Sequence, residues 1–307
     1  MSYIRLVIFL FIGMSNLSFA QTKKEIISKI IKLNSLDGWD GILNPVLDKN
    51  GLSNDSNYYN FEKLKKIISH NELLKLSHQK NQVVRLYAVD ELMSKDPKQL
   101  NVKKEILDAI SKKKIVQTHS GCIIDKELTY SIIYHNYWSH VRGRTSQPPF
   151  ETDEEKIELL EIKAVNEDPL LREINSKILD LDEDLYWLIY DRAFEIEKYD
   201  ESLKNNIIHL LYKYNNNFAF EYLNKNYPEE FKQSIYSTYF EKYFSKAKFN
   251  DVNQTFYLFN LAQYAFKNND IDMQNKILQK LRTTKGWEKE LSGSFNAQIF
   301  EKYNVKL

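Results

Sequence analysis

The chain has 307 residues, with 43 Lys and Arg against 42 Asp and Glu and a formal net charge of +1. Apolar residues at 43% and charged residues at 28% describe a folding chain rather than a disordered one. Only 8 Gly and 6 Pro occur, each less than half the usual share of roughly 7% and 5%, which argues against β-sandwiches, barrels and Gly-rich nucleotide folds and for helices joined by short polar turns. So neutral a balance offers no electrostatic reason to expect nucleic acid or an anionic membrane as partner.

Met1 to Ala20 reads as a secretory signal peptide. Arg5 supplies the positive start, and Leu6 to Met14 is an apolar run, shorter than the roughly 20 residues that span a bilayer. Ser18 and Ala20 place small residues before Gln21, and no Cys stands at the cleavage point as a lipoprotein requires. The alternative is an uncleaved N-terminal anchor. Removal of the leader takes Arg5 with it and brings the formal charge to zero. No second long apolar run follows, so no membrane span is expected after cleavage, and the expected location is the bacterial periplasm or the cell exterior. Cys122 is the only cysteine, which excludes an intramolecular disulfide. Its apolar neighbours Ile123 and Ile124 point to a small buried hydrophobe rather than a reactive thiol.

Helical spacing begins at Lys23 to Leu33, with Ile26, Ile27, Ile30 and Ile31 on one side. Residues 35 to 59 break that pattern and read as an ordered loop pinned by Trp39, Ile42, Leu43 and Val46. Asp48-Lys-Asn-Gly51 lacks the Gly and Glu positions of a calcium loop. Helices resume over Phe61 to Ile68, Asn71 to Ser77, Val83 to Met93 and Leu100 to Ile110. Asp96-Pro97 suits a helix start, and Lys112-Lys-Lys114 suits a C-terminus, where cations favour the macrodipole. Lys126 to Trp138 is the next predicted helix. Gly143, Pro148 and Pro149 make 141 to 151 the best internal boundary, and Thr152-x-x-Glu155 fits a capping box that restarts a helix. Beyond it the spacing predicts helices over Glu155–Val165, Pro169–Leu179, Leu185–Glu197, Leu203–Tyr212, Phe218–Asn224, Phe231–Phe244, Val252–Phe266 and Met273–Leu281, with Trp287–Tyr303 able to cap the array. No stretch shows a convincing strand alternation.

The expected fold is therefore all-α. Glu72 to Pro97 resembles a HEAT repeat. A first helix carries spaced leucines, a polar turn follows, and the second helix holds Val84-Arg85, Ala88 and Leu92 in the family's Val-Arg-x-x-Ala-x-x-x-Leu pattern. Physically, Val84 and Leu92 would face the core, Ala88 would allow close helix approach, and Arg85 would reach a carbonyl or acid of the neighbouring turn. The following helix and the Ser120 to Ile123 segment are similar to exported HEAT-type bacterial proteins, and Asp168 to Asn175 echoes the repeat without its Ala. The resemblance implies an α/α superhelix over residues 21–145, grading over 150–307 into irregular, aromatic-rich or tetratricopeptide-like pairs. It also implies a protein-binding surface with no shared chemistry.

Candidate sites are few. His70, His78, His119, His135, His140 and His209 show no metal-ligand spacing, and acid pairs such as Glu154-Glu155 sit where helices start. The sequence asks for no catalytic residue, no metal and no cofactor. Tyr134, Tyr137, Trp138, His140, Arg142 and Arg144 form the best binding candidate, because aromatics beside arginines are common in hot spots and in sugar or anion contacts. The same pattern also suits a Trp138 packed into the junction with solvated arginines. Residues 212 to 266 hold 18 Tyr or Phe, and Tyr236, Phe240, Tyr243 and Phe244 share one helix face, so core packing is their first explanation. An exposed strip for a peptide or glycan is the second. The functional expectation is a non-enzymatic protein-interaction or scaffold module. The alternatives are a carbohydrate-binding or carbohydrate-cleaving protein using the Tyr-rich half and, third, a metal hydrolase.

Overall fold

The computed structural model describes residues 22–39, 46–48, 51–53, 56–95, 97, 99–120, 123–143, 153–244, 252–284 and 296–305. The chain is mostly helical, with a small three-stranded sheet. It divides into two compact units, Met1–Ile174 with Tyr186–Glu195, and Asn175–Leu185 with Ile196–Leu307. The leader, Cys122 and the segment 144–152 lie outside the described residues, as does Thr152 of the expected capping box.

In the first unit, α1 (residues 22–33) ends at Asn34, whose φ of 48° turns the chain into β1 (Ser35–Asp37). A short hairpin follows, β2 (Val46–Asp48) with β3 (Gly51–Ser53). Four helices come next: α2 (Asn57–Lys65), α3 (His70–Leu76), α4 (Gln82–Lys95) and α5 (Val102–Lys112). Then β4 (Ile115–Ser120) and β5 (Ile123–Leu128) pair antiparallel, with Ile115 opposite Leu128, while β1 lies parallel to β4, with Leu36 opposite Thr118. The strand order β1-β4-β5 leaves β5 at the edge. The helices α6 (Thr129–Gly143), α7 (Glu154–Glu167) and α9 (Trp187–Ala193) complete the unit, and α8 (Pro169–Leu179) begins in it.

The strands correct the sequence reading at two places. Residues 35–37, 46–48 and 51–53 are strand rather than loop, and Lys126–Leu128 belong to β5, so the helix predicted from Lys126 starts at Thr129. The hidden face of β4 carries only Val116 and Thr118, and Ile115, Ile123 and Ile124 are exposed. Apolar residues on the wet face cancel the alternation that would mark a strand.

Helix ends follow local chemistry. Ser69 caps α3 in a reciprocal capping box with Glu72, Asn101 caps α5 by accepting from Lys104 N at 3.1 Å, and Lys113 at φ 45° closes α5 within the expected lysine run. Asp153 caps α7. In α4 the repeat-like positions Val84, Ala88 and Leu92 are all buried, and Arg85 pairs with Glu105 of α5. The helix packs on α3, α6 and β1, so nearly its whole circumference is apolar.

The second unit uses aromatic rings as filler. A run of three asparagines joins α10 (Lys204–Tyr214) to α11 (Asn217–Asn226). Asn215 ends the first at φ 56°, and Asn216 caps the second by accepting from Ala219 N at 2.9 Å. Helical turns then run from Pro228 to Phe244, through α12 (Pro228–Glu230), a π-helical Phe231–Ile235, α13 (Tyr236–Tyr239) and a π-helical Phe240–Phe244. The helices α14 (Val252–Lys267) and α15 (Ile271–Thr283) follow, with a last π-helical turn at Asn296–Phe300. Phe220, Phe231, Tyr236, Tyr239, Phe240 and Tyr264 are buried, with centroids 4.9 Å apart for Phe220–Phe231 and 4.8 Å for Tyr236–Tyr264. These rings are core, which is the first of the two readings of the Tyr-rich half.

Two outcomes follow from this packing. Leu92→Ala removes a fully buried side chain between helices and should cost about 2–5 kcal/mol, read as a lower denaturant midpoint of the full chain. The Ser69 backbone N–H, followed by the Lys23 ammonium at 2.9 Å, holds the Glu72 carboxyl down at about 2. A depressed folded pKa means stabilisation present at neutral pH and lost as pH falls from the ordinary carboxylate range toward 2. Glu72→Gln should flatten that acid limb in a pH series of thermal melts, while a limb identical to wild type would refute the assignment.

Candidate binding pocket

Asp37 is a carboxylate buried at the end of β1. Its Oδ1 accepts from the Ser35 hydroxyl at 2.9 Å and its Oδ2 from the Asn57 backbone N–H at 2.7 Å, the first turn of α2. His119 Nδ1 of β4 lies 3.5 Å from Oδ1. Asn57 reaches back, donating through Nδ2 to the carbonyls of Ser35 at 2.7 Å and Ile30 at 3.2 Å. The Tyr87 hydroxyl of α4 accepts from Asp37 N at 2.8 Å and donates to Asp37 O at 2.9 Å. It thus serves β1 as a neighbouring strand would. Burial first, then the nearby Asp37 charge, pushes the Tyr87 hydroxyl well above its ordinary range, so it stays protonated. Gly38 follows at φ 70°, where a side chain would be strained, and donates to the His119 carbonyl.

These bonds fix α2 and α4 side by side with a cavity of about 60 Å³ between them. Its apolar walls are Trp39, Tyr58, Phe61 and Tyr87, the last two stacked at 5.0 Å. Its polar lining is Glu62 and Lys65 of α2, Asp90 and Glu91 of α4, and Asn136 of α6. Lys65 bridges Glu62 at 2.6 Å and Glu91 at 2.8 Å, and Glu91 also meets Lys95 at 2.5 Å. Burial lowers the Lys65 ammonium's basicity, but its bonds to the two carboxylates outweigh that and raise it overall. Burial likewise raises Glu91, yet the two lysines bring it below the usual range. Asp90 is oriented differently. Its Oδ1 accepts from Asn136 Nδ2 at 3.1 Å and from His140 Nε2 at 3.0 Å, while Oδ2 has no partner among the described residues. Three carboxylates thus line the pocket, with the Lys65 ammonium on Glu62 and Glu91 and the Lys95 ammonium on Glu91. Among the described residues no group of three or more His, Cys, Asp or Glu is placed to hold a metal ion.

The residues singled out from sequence divide. Tyr134, Tyr137 and Trp138 are buried in the first unit, at 0%, 2% and 4% exposure. The Tyr137 hydroxyl donates to Asp168 at 3.1 Å, and Trp138 Nε1 donates to Glu195 at 2.9 Å. The guanidinium of Arg192 lies 4.0 Å from the Trp138 ring centroid and that of Arg142 5.0 Å. Arg142 also donates to Glu161 at 2.6 Å. Burial pushes the Glu195 carboxyl up despite Arg192 and Trp138. These groups form a packed cation–π junction. His140 alone reaches the pocket, through Asp90, and Arg144 lies outside the described residues.

Sequence reasoning missed Trp39, Tyr58, Glu62, Lys65 and Asp90. A signal existed: Tyr58, Glu62 and Lys65 fall at i, i+4 and i+7 on α2, and Tyr87 and Asp90 at i and i+3 on α4. That these two faces meet depends on the β1 pairing, which no local pattern shows. Tyr87→Phe keeps the ring and deletes both hydroxyl bonds, leaving the Asp37 N–H unpaired. A loss of about 1–3 kcal/mol in denaturant unfolding is expected.

No model of a known protein family matches this chain, and no curated protein or solved structure does either.

Proposed function

We propose that this chain is an exported, non-enzymatic helical-repeat protein that binds other proteins in the bacterial periplasm or at the cell surface. The observation that carries this reading is the pocket of the first unit. It is open to solvent, walled by aromatic rings, lined by carboxylates, and held by α2, α4 and α6 with the turn that follows β1. Recognition pockets are commonly built this way, with an apolar wall and a few fixed polar groups.

The HEAT-like reading draws support from the α3–α4 pair, whose family positions are buried and whose Arg85 reaches the acid of the next helix. Consecutive packing of α3 on α4, of α10 on α11 and of α14 on α15 is compatible with an α/α superhelix. Export rests on the Met1–Ala20 pattern. Glycan binding through the Tyr-rich half draws less support, because Phe220, Phe231, Tyr236, Tyr239, Phe240 and Tyr264 are in the core.

The test is an in-cell cross-linking pull-down with C-terminally tagged full-length protein, wild type against Asp90→Asn. A specific protein held by the wild type and lost from the folded variant is the expected result. Capture of nothing by the wild type would overturn the interaction reading. N-terminal sequencing of the same material should begin at Gln21, and a chain still starting at Met1 would refute cleavage.

A further inference from the structure

The pocket's chemistry selects its ligand more narrowly than protein binding in general. We propose that it takes a lysine side chain from a partner protein, with the ammonium on Asp90 Oδ2 and the aliphatic stem against Trp39 and Tyr58; this rests on the interaction reading above.

Charge comes first. Three carboxylates against the Lys65 and Lys95 ammoniums leave one negative charge in excess, which favours a cation, and aromatic faces add a cation–π attraction. Lys65 illustrates the preference from within, since its ammonium is already held by Glu62 and Glu91 of the same lining.

Geometry then separates lysine from arginine. Asn136 and His140 both donate to Asp90 Oδ1, which leaves one carboxylate oxygen for a ligand. A guanidinium gains most from two parallel bonds to both oxygens of a carboxylate. An ammonium is a point charge and loses nothing at a single oxygen. Asp90 is also the one acid of the three that holds no lysine ammonium, because Glu62 and Glu91 both hold Lys65. Its side chain is 43% exposed, so an incoming group can reach it.

Size agrees. A cavity of about 60 Å³, at about 10–15 Å³ for each water-sized occupant, admits roughly four to six heavy atoms. The four methylenes and ammonium of lysine, five heavy atoms, fall within that range.

The experiment titrates purified full chain with three capped tripeptides, Gly-Lys-Gly, Gly-Arg-Gly and Gly-norleucine-Gly. The readout is the shift of the indole N–H signals in ¹⁵N-labelled protein. Saturable binding of the lysine peptide is expected, at least ~10-fold tighter than either of the others. Asp90→Asn preserves the acceptor for Asn136 and His140 but replaces the open oxygen by an NH2 group. The fold should survive, shown by unchanged indole signals without peptide, and lysine binding should weaken by ~10-fold or more. Absence of lysine binding, equal binding of norleucine, arginine binding as tight as lysine, or binding indifferent to Asp90→Asn would each overturn the proposal. A partner captured equally by wild type and Asp90→Asn in the pull-down would sink this pocket assignment while leaving the interaction reading intact. Lysine-peptide binding without any captured partner would sink the interaction reading instead.

Discussion

The first unit depends on how Asp37 is satisfied. A buried carboxylate is costly unless it is hydrogen-bonded, and here the donors are Ser35 beside it and the first N–H of α2, with His119 of β4 3.5 Å away. Tyr87 then occupies the backbone of the same residue. One residue therefore ties a three-residue strand to a helix start, to a strand some eighty positions later and to the central helix. So short a strand would not hold on ladder bonds alone. The pocket is a by-product of this knot, since α2 and α4 are locked at a separation that their own side chains do not fill.

The buried rings of α6 follow the same principle. Tyr137 and Trp138 bring large apolar area into the core, and each keeps one polar atom that must be answered. Asp168 and Glu195 answer them. Tyr130 does so in reverse, accepting from the Tyr186 backbone N–H at 3.1 Å. Segments distant in sequence are thus recruited to α6 by hydrogen-bond demand as much as by apolar burial. This explains why an aromatic–arginine cluster that looks like a contact surface in the sequence is largely internal.

Most of the helical skeleton was legible because its elements are amphipathic and punctuated by Asn, Asp and Ser. Pro169–Leu179 coincides with α8 residue for residue, and the ends of α3, α4 and α5 differ from the sequence reading by two residues or fewer. The sheet was not legible. β1 is three residues long and pairs with a strand across α2 to α5, while β5 carries Asp125, Lys126 and Glu127 where a strand signal needs apolar residues. The candidate site was half legible for the same reason. His140 drew attention through its aromatic neighbours, but Asp90 sits in a helix whose other residues read as core. Only the long-range pairing reveals that it opens onto Trp39 and Tyr58.

The edge strand β5 has a consequence for how copies of this chain meet one another. Exposed Ile123 and Ile124 lie on an edge that no further strand covers among the described residues, and such an edge invites another strand to add on. Two identical edges pairing antiparallel about a two-fold axis perpendicular to the sheet bring residues of equal parity face to face. A register centred on Asp125, Lys126 or Glu127 sets that residue against itself, and the middle one also sets Asp125 against Glu127. Every such centre confronts like charges. Charges at these three positions therefore disfavour the registers centred on them, as charged residues on edge strands commonly do.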